Sequence, residues 1–316
     1  MNALAEKLVY QSSDGSSKIA ATLYLPQGAP KAVVQISHGM CEYVRRYEEL
    51  AQLLCKQGIA VCGNDHLGHL DTTIANGSFK GYFGKRGSYR FLVEDLYLLH
   101  RQMRQRFPTQ PYFLLGHSMG SFVARLYAEK HPETLDGLIL SGTASWRPMG
   151  DVALFLSNVI CGWRGEKYVS TFLCNLISQG NNKKIHPRNT SMDWLSREPQ
   201  VVGRYLADPG CSFRFTASAN HDMLLMLRRC SRAEWFTSLP KELPVYLISG
   251  EADPIGEYGQ GVRQVCTKLL GAGMQDVEMR LYPEARHELF NEINREEVFH
   301  HLIAWLEDRT AQVLGI

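Results

Sequence analysis

Tyr112-Phe113-Leu114-Leu115-Gly116-His117-Ser118-Met119-Gly120 runs directly into the helix-forming stretch Phe122 to Lys130, and this change of rhythm decides the fold. Four consecutive apolar residues suit a short strand covered on both faces, and the period shifts to that of a helix straight after Gly120. Gly-x-Ser-x-Gly therefore falls at a sharp strand-to-helix turn. In such a turn the glycines let strand and helix approach without Cβ clashes, while the serine takes a strained backbone that lifts its hydroxyl clear of the sheet. The helix N-terminus behind it favours developing negative charge. Ser118 is the candidate nucleophile.

The same rhythm extends along the chain. Glu6 to Ser12 and Lys18 to Leu25 alternate like strands and are joined by Ser-Asp-Gly-Ser turn chemistry, a hairpin signal. Short apolar runs follow at Ala32 to Ser37, Ala60 to Asn64, Leu138 to Ser141, Val245 to Ser249 and Glu278 to Tyr282. Helical patterns at Tyr47 to Gln57, Tyr89 to Phe107, Ser121 to Lys130, Gly261 to Leu270 and Glu296 to Asp308 alternate with them. That alternation predicts a parallel, doubly wound sheet. It fails only between about Ala144 and Ser238, where no strand-like run occurs and helical patterns such as Val152 to Trp163 and Met223 to Arg229 stand instead. The expected organisation is a core of residues 1–143 and 239–316, with residues 144–238 as a helical cap insertion.

Composition narrows the class. The 316 residues carry a formal net charge of +2, too weak a field to argue for nucleic acid, and the Arg101 to Arg106 and Arg228 to Arg232 stretches read as solvated helix faces. Eight cysteines lie scattered without a Cys-x-x-Cys pair, and Met1 to Leu8 has no apolar leader core, so a reduced, cytoplasmic setting is expected. No run reaches the roughly 18 apolar residues of a membrane span. No His, Cys or carboxylate set has metal-ligand spacing in a fitting context, so neither metal nor cofactor is expected. His100, His131, His300 and His301 are placed on or near helix ends, as surface residues.

A serine hydroxyl needs a base, and the base needs a carboxylate to hold its tautomer. Strand Val245 to Ser249 ends in Gly250-Glu251-Ala252-Asp253-Pro254, and strand Glu278 to Tyr282 in Pro283-Glu284-Ala285-Arg286-His287. Asp253 and His287 thus reach the same sheet rim as Ser118, where ligands of open α/β folds bind. Glu251 and Glu284 are rivals for the carboxylate, though the position before Pro254 holds Asp253 in an extended backbone that presents it better. For the oxyanion, the donors are the N–H of Met119 and one from the loop after an early strand, His38-Gly39-Met40, hence Met40. A plain turn is the duller reading of His38-Gly39.

With these positions in place, the chain resembles the monoacylglycerol lipase and lysophospholipase group of α/β-hydrolases, which includes serine aminopeptidase-like members. The matching pieces are His38-Gly39-Met40-Cys41-Glu42 with Arg46-Tyr47, Asp65-His66-Leu67-Gly68-His69, Gly116 to Gly120, Gly250 to Asp253, and His287-Glu288. The resemblance implies an α/β-hydrolase fold with a mostly parallel eight-stranded sheet, helices on both faces, a helical cap, and hydrolysis of lipid-like esters. It supports Ser118, Asp253 and His287 as triad, with Met40 and Met119 as oxyanion donors. Two departures, Leu70-Asp71-Thr72 for a commoner Gly-x-Ser, and Cys41 and Tyr43 for a commoner Gly and His, are expected near the pocket mouth.

In the cap, Phe155, Leu156 and Trp163 either line an acyl tunnel or are simple helix core. Cys41 is either a space-filler or a thiol at the pocket. The reaction expected is acyl transfer to Ser118 and hydrolysis of a small acyl-ester substrate, with peripheral membrane contact through the cap as a further expectation. Two alternatives stand beside it. One is an aminopeptidase or amidase on the same scaffold, which would want an acidic patch where the cap instead has Lys183, Lys184, Arg188, Arg197 and Arg204. The other is a catalytically silent binding module.

Overall fold

The computed structural model describes residues 3–178 and 180–316, so the first two residues of the expected core and Gln179 of the expected cap lie outside it. Eight strands form one sheet: β1 (Leu4–Gln11), β2 (Lys18–Leu25), β3 (Ala32–Ser37), β4 (Ile59–Asn64), β5 (Tyr112–His117), β6 (Gly137–Ser141), β7 (Val245–Gly250) and β8 (Val277–Tyr282). Their spatial order is β1-β2-β4-β3-β5-β6-β7-β8. β1 and β2 pair antiparallel, as do β2 and β4, and every other pairing is parallel. The hairpin signal and the doubly wound signal thus belong to one sheet.

Helices cover both faces. α1 (Glu48–Lys56) is followed by α2 (Leu70–Asn76), α3 (Tyr89–Arg106) and α4 (Met119–Lys130). Beyond β6 lie α5 (Met149–Arg164), α6 (Thr171–Ser178), α7 (Pro199–Ala207), α8 (Ala217–Cys230) and α9 (Ala233–Ser238), and after β7 come α10 (Gln260–Gly271) and α11 (Arg295–Leu314). Strand alternation sorts the core into two layers. Tyr112 and Leu114 of β5 join Leu96, Val123 and Val262 on one side, while Phe113 and Leu115 join Leu50, Leu54, Phe299 and Trp305 on the other. Each β5 side chain is buried whichever way it points, which is why the run reads as continuously apolar.

Between β6 and β7 the described residues form helices and no strand. This segment is bound to the sheet through α4. Arg125, fully buried, donates to the carbonyls of Ala144 and Cys230, the start of the segment and the end of α8, and its guanidinium lies 4.4 Å over the Trp235 ring. The Trp235 indole N–H returns a 2.6 Å hydrogen bond to the Arg125 carbonyl. A cation without a carboxylate is tolerated there because helix-end carbonyls and an aromatic face replace the lost water.

Two sequence expectations change at this level. His100 is not a surface residue: on α3 it is buried edge-on against Tyr112, ring centroids 4.6 Å apart, and burial pushes its pKa down to about 4. The departure Leu70-Asp71-Thr72 is not at a pocket mouth. It forms the first turn of α2, where Thr72 accepts from the Ala20 N–H at 2.9 Å and donates to the Asp65 carbonyl at 2.6 Å, pinning the Asp65 loop to β2. No described helix is long and apolar enough to cross a membrane.

Candidate active site

Ser118 stands between β5 and α4 with φ 52° and ψ −120°, a left-sided conformation that a β-substituted residue adopts only under constraint. The constraint is local: its N–H donates to the Ser141 carbonyl at 2.9 Å, and its carbonyl accepts from Ser121 Oγ at 2.6 Å. Ser118 Oγ itself has no hydrogen-bond partner among the described residues.

His287 and Asp253 do meet. His287 Nδ1 lies 2.9 Å from Asp253 Oδ2, and both residues are buried. The Asp253 carboxylate is itself held, accepting from the Ile255 N–H at 2.8 Å and from Ser249 Oγ at 3.3 Å. The rivals separate cleanly. Glu251 faces Arg263 on the surface, and the largely exposed Glu284 pairs with Arg197. Burial opposes a charge on His287, but Asp253, with Glu288 and Glu42 behind it, outweighs that cost and holds the imidazole pKa above its ordinary value. Burial pushes neighbouring His117 down to about 4, so it stays neutral, its ring 4.7 Å from that of His287.

The histidine loop is held from two sides. Gly142, with φ +57°, lets the end of β6 pass beneath the imidazole: a Cβ there would stand 3.0 Å from His287 Cε1. From the helical segment, the carbonyls of Trp194 and Leu195 accept the N–H groups of His287 and Glu288 at 3.3 and 2.7 Å, and the Trp194 ring lies 5.1 Å from the imidazole. Nothing in the sequence marks Trp194, which sits 93 positions from its partner.

A buried ionic lattice joins the loop after β3 to the histidine loop. Arg46 donates to both Glu288 oxygens at 2.7 Å each and to Glu42 at 2.9 Å, and stacks 4.9 Å over Tyr205. Glu42 also accepts from the Gly39 N–H and, at 2.7 Å, from the Tyr47 hydroxyl. One arginine thereby ties the loop carrying Met40 to the loop carrying His287. The sequence held the signal in Glu42, Arg46 and Glu288, yet charge pairs so far apart along the chain are found only by folding it. The Met40 N–H carries no hydrogen bond among the described residues, and Met119, first residue of α4, has no intrahelical partner for its own.

Above these groups opens a cavity of about 1310 Å³ whose wall includes Met40, Cys41, Ser118, Met119 and His287. Leu176, Ile177, Phe213, Met223 and Leu224 contribute apolar lining, and the loop from Gly180 to Met192 contributes polar lining. Cys41 is on the wall as a buried thiol donating 3.0 Å to the Phe213 carbonyl, and burial pushes its pKa up. Phe155, Leu156 and Trp163 are not. α5 buries Ala153, Leu154, Ser157 and Cys161, a helical spacing that turns Phe155 and Trp163 outward, 66 % and 80 % exposed. Its contribution to the wall comes one turn earlier, from Met149, Gly150, Val152 and Ala153. No metal-binding cluster occurs among the described residues.

The strand order, the strained serine turn and the histidine-carboxylate pair define an α/β-hydrolase. Over residues 28–294 the chain matches the serine aminopeptidase S33 family, and it belongs to that family, in the group that includes monoacylglycerol lipases. It is 29 % identical to human monoglyceride lipase over 290 residues, 90 % of this chain and 86 % of that one. It is 26 % identical to the monoacylglycerol lipase of Mycolicibacterium smegmatis, over 92 % of this chain and 94 % of that one. Among solved structures, a thermostable carboxyl esterase from Bacillus coagulans in complex with glycerol superposes with a TM-score of 0.91 at 30 % identity, covering 97 % of this chain and 99 % of its own.

Proposed function

We propose that the chain is a serine carboxylester hydrolase acting on lipid-like acyl esters, of the monoacylglycerol or lysophospholipid kind, with residues 144–238 as its cap. The observation that carries this reading is the His287–Asp253 pair beside a strained Ser118 at the base of a large cavity with apolar lining. Relatives named as monoglyceride and monoacylglycerol lipases, and an esterase that holds glycerol, support the same substrate class.

In the proposed reaction His287 Nε2 takes the Ser118 proton as Oγ attacks the ester carbonyl, and Asp253 stabilises the imidazolium. The free N–H groups of Met40 and Met119 bind the oxyanion. The leaving alcohol takes the proton from His287, and water activated by the same imidazole releases the acid. An aminopeptidase would need an unpaired carboxylate to hold a free amino terminus. Each wall carboxylate already has an arginine partner, Glu42 and Glu288 sharing Arg46 and Glu257 pairing with Arg147, so esters are favoured. Met149 and Val152 at the cavity rim continue outward into Phe155, Val159 and Trp163, an apolar stripe suited to meeting aggregated substrate.

Labelling by a fluorophosphonate, followed by intact mass, tests the chemistry. One adduct on the wild type and none on Ser118→Ala is expected, together with an esterase loss on the order of a million-fold. Near-native turnover by Ser118→Ala would overturn the assignment, and a folded wild type without adduct or turnover would favour the binding module.

A further inference from the structure

The polar lining of the cavity includes a loop with its own internal frame. Asn182 accepts from the Trp194 N–H at 2.8 Å and donates to the Thr190 carbonyl at 2.9 Å, while Asp193 accepts from the N–H groups of Asn189 and Thr190 at 2.5 and 3.0 Å. Arg286, beside His287 in sequence, fastens the loop by donating to the Asp193 carbonyl at 2.6 Å. This frame holds Lys183, Lys184 and Arg188 on the wall of the cavity that contains Ser118.

Their charges are unspent. The side chains of Lys183 and Arg188 have no ion pair or hydrogen bond among the described residues, and Lys184 only rests its ammonium 4.1 Å over the Tyr258 ring. The three wall carboxylates pair with other arginines, Glu42 and Glu288 sharing Arg46 and Glu257 holding Arg147. Of the other basic residues of the cap, Arg214 is also on the wall, where it donates to Thr171 Oγ1 at 2.8 Å. Arg197 is paired with Glu292 at 2.9 Å and Glu284 at 3.3 Å, and neither it nor Arg204 reaches the wall. A cavity whose wall carries these cations without an ion pair among the described residues, together with apolar side chains, matches an amphiphile with an anionic head.

We infer that the ester this site takes carries a phosphate or carboxylate on its leaving-group half, seated against Lys183, Lys184 and Arg188, with the acyl chain against the apolar lining. The inference rests on the ester-hydrolase reading above and narrows its substrate class. Water's hydroxyl ends on the acyl carbon and its proton on the released alcohol oxygen, so the products are a fatty acid and an anionic alcohol. Cations at a partly open wall act through charge and steering, and their effect is screened by salt.

The test compares kcat/KM for three monomeric esters of one acyl length: mono-octanoylglycerol, mono-octanoylglycerol phosphate and octanoyl glycerate. At low salt at least one anionic ester should exceed the neutral one by about tenfold, the size that two or three exposed charge contacts supply. That ratio should fall toward one at high salt, and likewise in Lys183→Gln/Lys184→Gln/Arg188→Gln. A larger value for the phosphate ester assigns a phosphate head, and a larger value for the glycerate a carboxylate. A neutral ester turned over as well as both anions, or a ratio that neither salt nor the triple substitution moves, overturns the inference. Should the triple variant not fold, the salt titration of the unmodified enzyme decides alone. No turnover of any of the three esters would instead count against the hydrolase reading itself.

Discussion

Replacing Arg46 by methionine removes one cation and strands two carboxylates, Glu42 and Glu288, whose side chains are only 4 % and 5 % exposed. Breaking a buried pair from one side costs about 3–5 kcal/mol. A stranded carboxylate can escape by protonating, which bounds the cost. With an ordinary Glu pKa of about 4.3, protonation at pH 7 takes roughly 2.7 units at 1.36 kcal/mol each, or ~3.7 kcal/mol. Glu42 keeps the Gly39 N–H and the Tyr47 hydroxyl, so Glu288 is the one expected to protonate. The variant should therefore lose about 4 kcal/mol at pH 7, a Tm drop on the order of 6 °C for a chain of this length.

The dependence on pH identifies the cause. Arg46 overcomes the burial cost on Glu288 and holds its pKa below the ordinary value in the wild type. That contribution is present above the unfolded carboxyl pKa and lost only as pH falls through the lower folded value, so the wild type changes little from this source between pH 7 and 5. The variant's cost falls by about 1.36 kcal/mol per unit over the same window, to ~1 kcal/mol at pH 5. Thermal melts of both proteins across that window, with Arg46→Met/Glu288→Gln as the neutralised control, measure it. The control should recover most of the loss. A drop under about 2 °C at pH 7, or an equal drop at both pH values, would refute the reasoning and leave only the packing of Arg46 on Tyr205.

Four more outcomes follow from the structure. The acid limb of kcat/KM should titrate above the ordinary imidazole pKa of about 6.5, because Asp253 raises that of His287. The same pair gives the folded protein stability that is fully present below the unfolded imidazole pKa and lost as pH rises through the folded value, so His287→Gln should be most destabilising, relative to wild type, on the acid side, as melts against pH would report. Gly142→Ala, placing a methyl 3.0 Å from the His287 ring at a backbone φ of +57°, should cost about 1–3 kcal/mol and lower kcat, read by denaturant melts and esterase assays. Phe155→Asp/Trp163→Asp, on the outward face of α5, should weaken co-sedimentation with phospholipid vesicles while leaving turnover of a monomeric soluble ester unchanged; equal vesicle binding would remove this stripe from any role at a lipid surface.

Much of this protein is legible before folding. Strands buried on both faces read as unbroken apolar runs, so β3, β5, β6 and β7 stand out. The turn at Ser118 is legible because strand and helix periods meet across glycines. Asp253 and His287 are legible because each follows a strand end on one rim, so that their convergence depends on topology alone. Sequence order also indicates a strandless insertion after β6, though not which of its helix faces turn inward.

That last choice belongs to tertiary structure. Phe155, Leu156 and Trp163 read equally well as tunnel or core by spacing, and the packing of α5 through Ala153, Leu154, Ser157 and Cys161 decides otherwise, because helical periodicity specifies that a face is buried and not against what. Asp253 rather than Glu251 or Glu284 meets the histidine because only its carboxylate points into the dry rim. Arg46 between Glu42 and Glu288, Trp194 beside His287, and the cations of the Lys183 loop, without an ion pair among the described residues, all depend on how distant stretches of chain come together. Charge in a sequence is a count, and whether it is spent on a neighbour or left facing a cavity is settled only when the chain has folded.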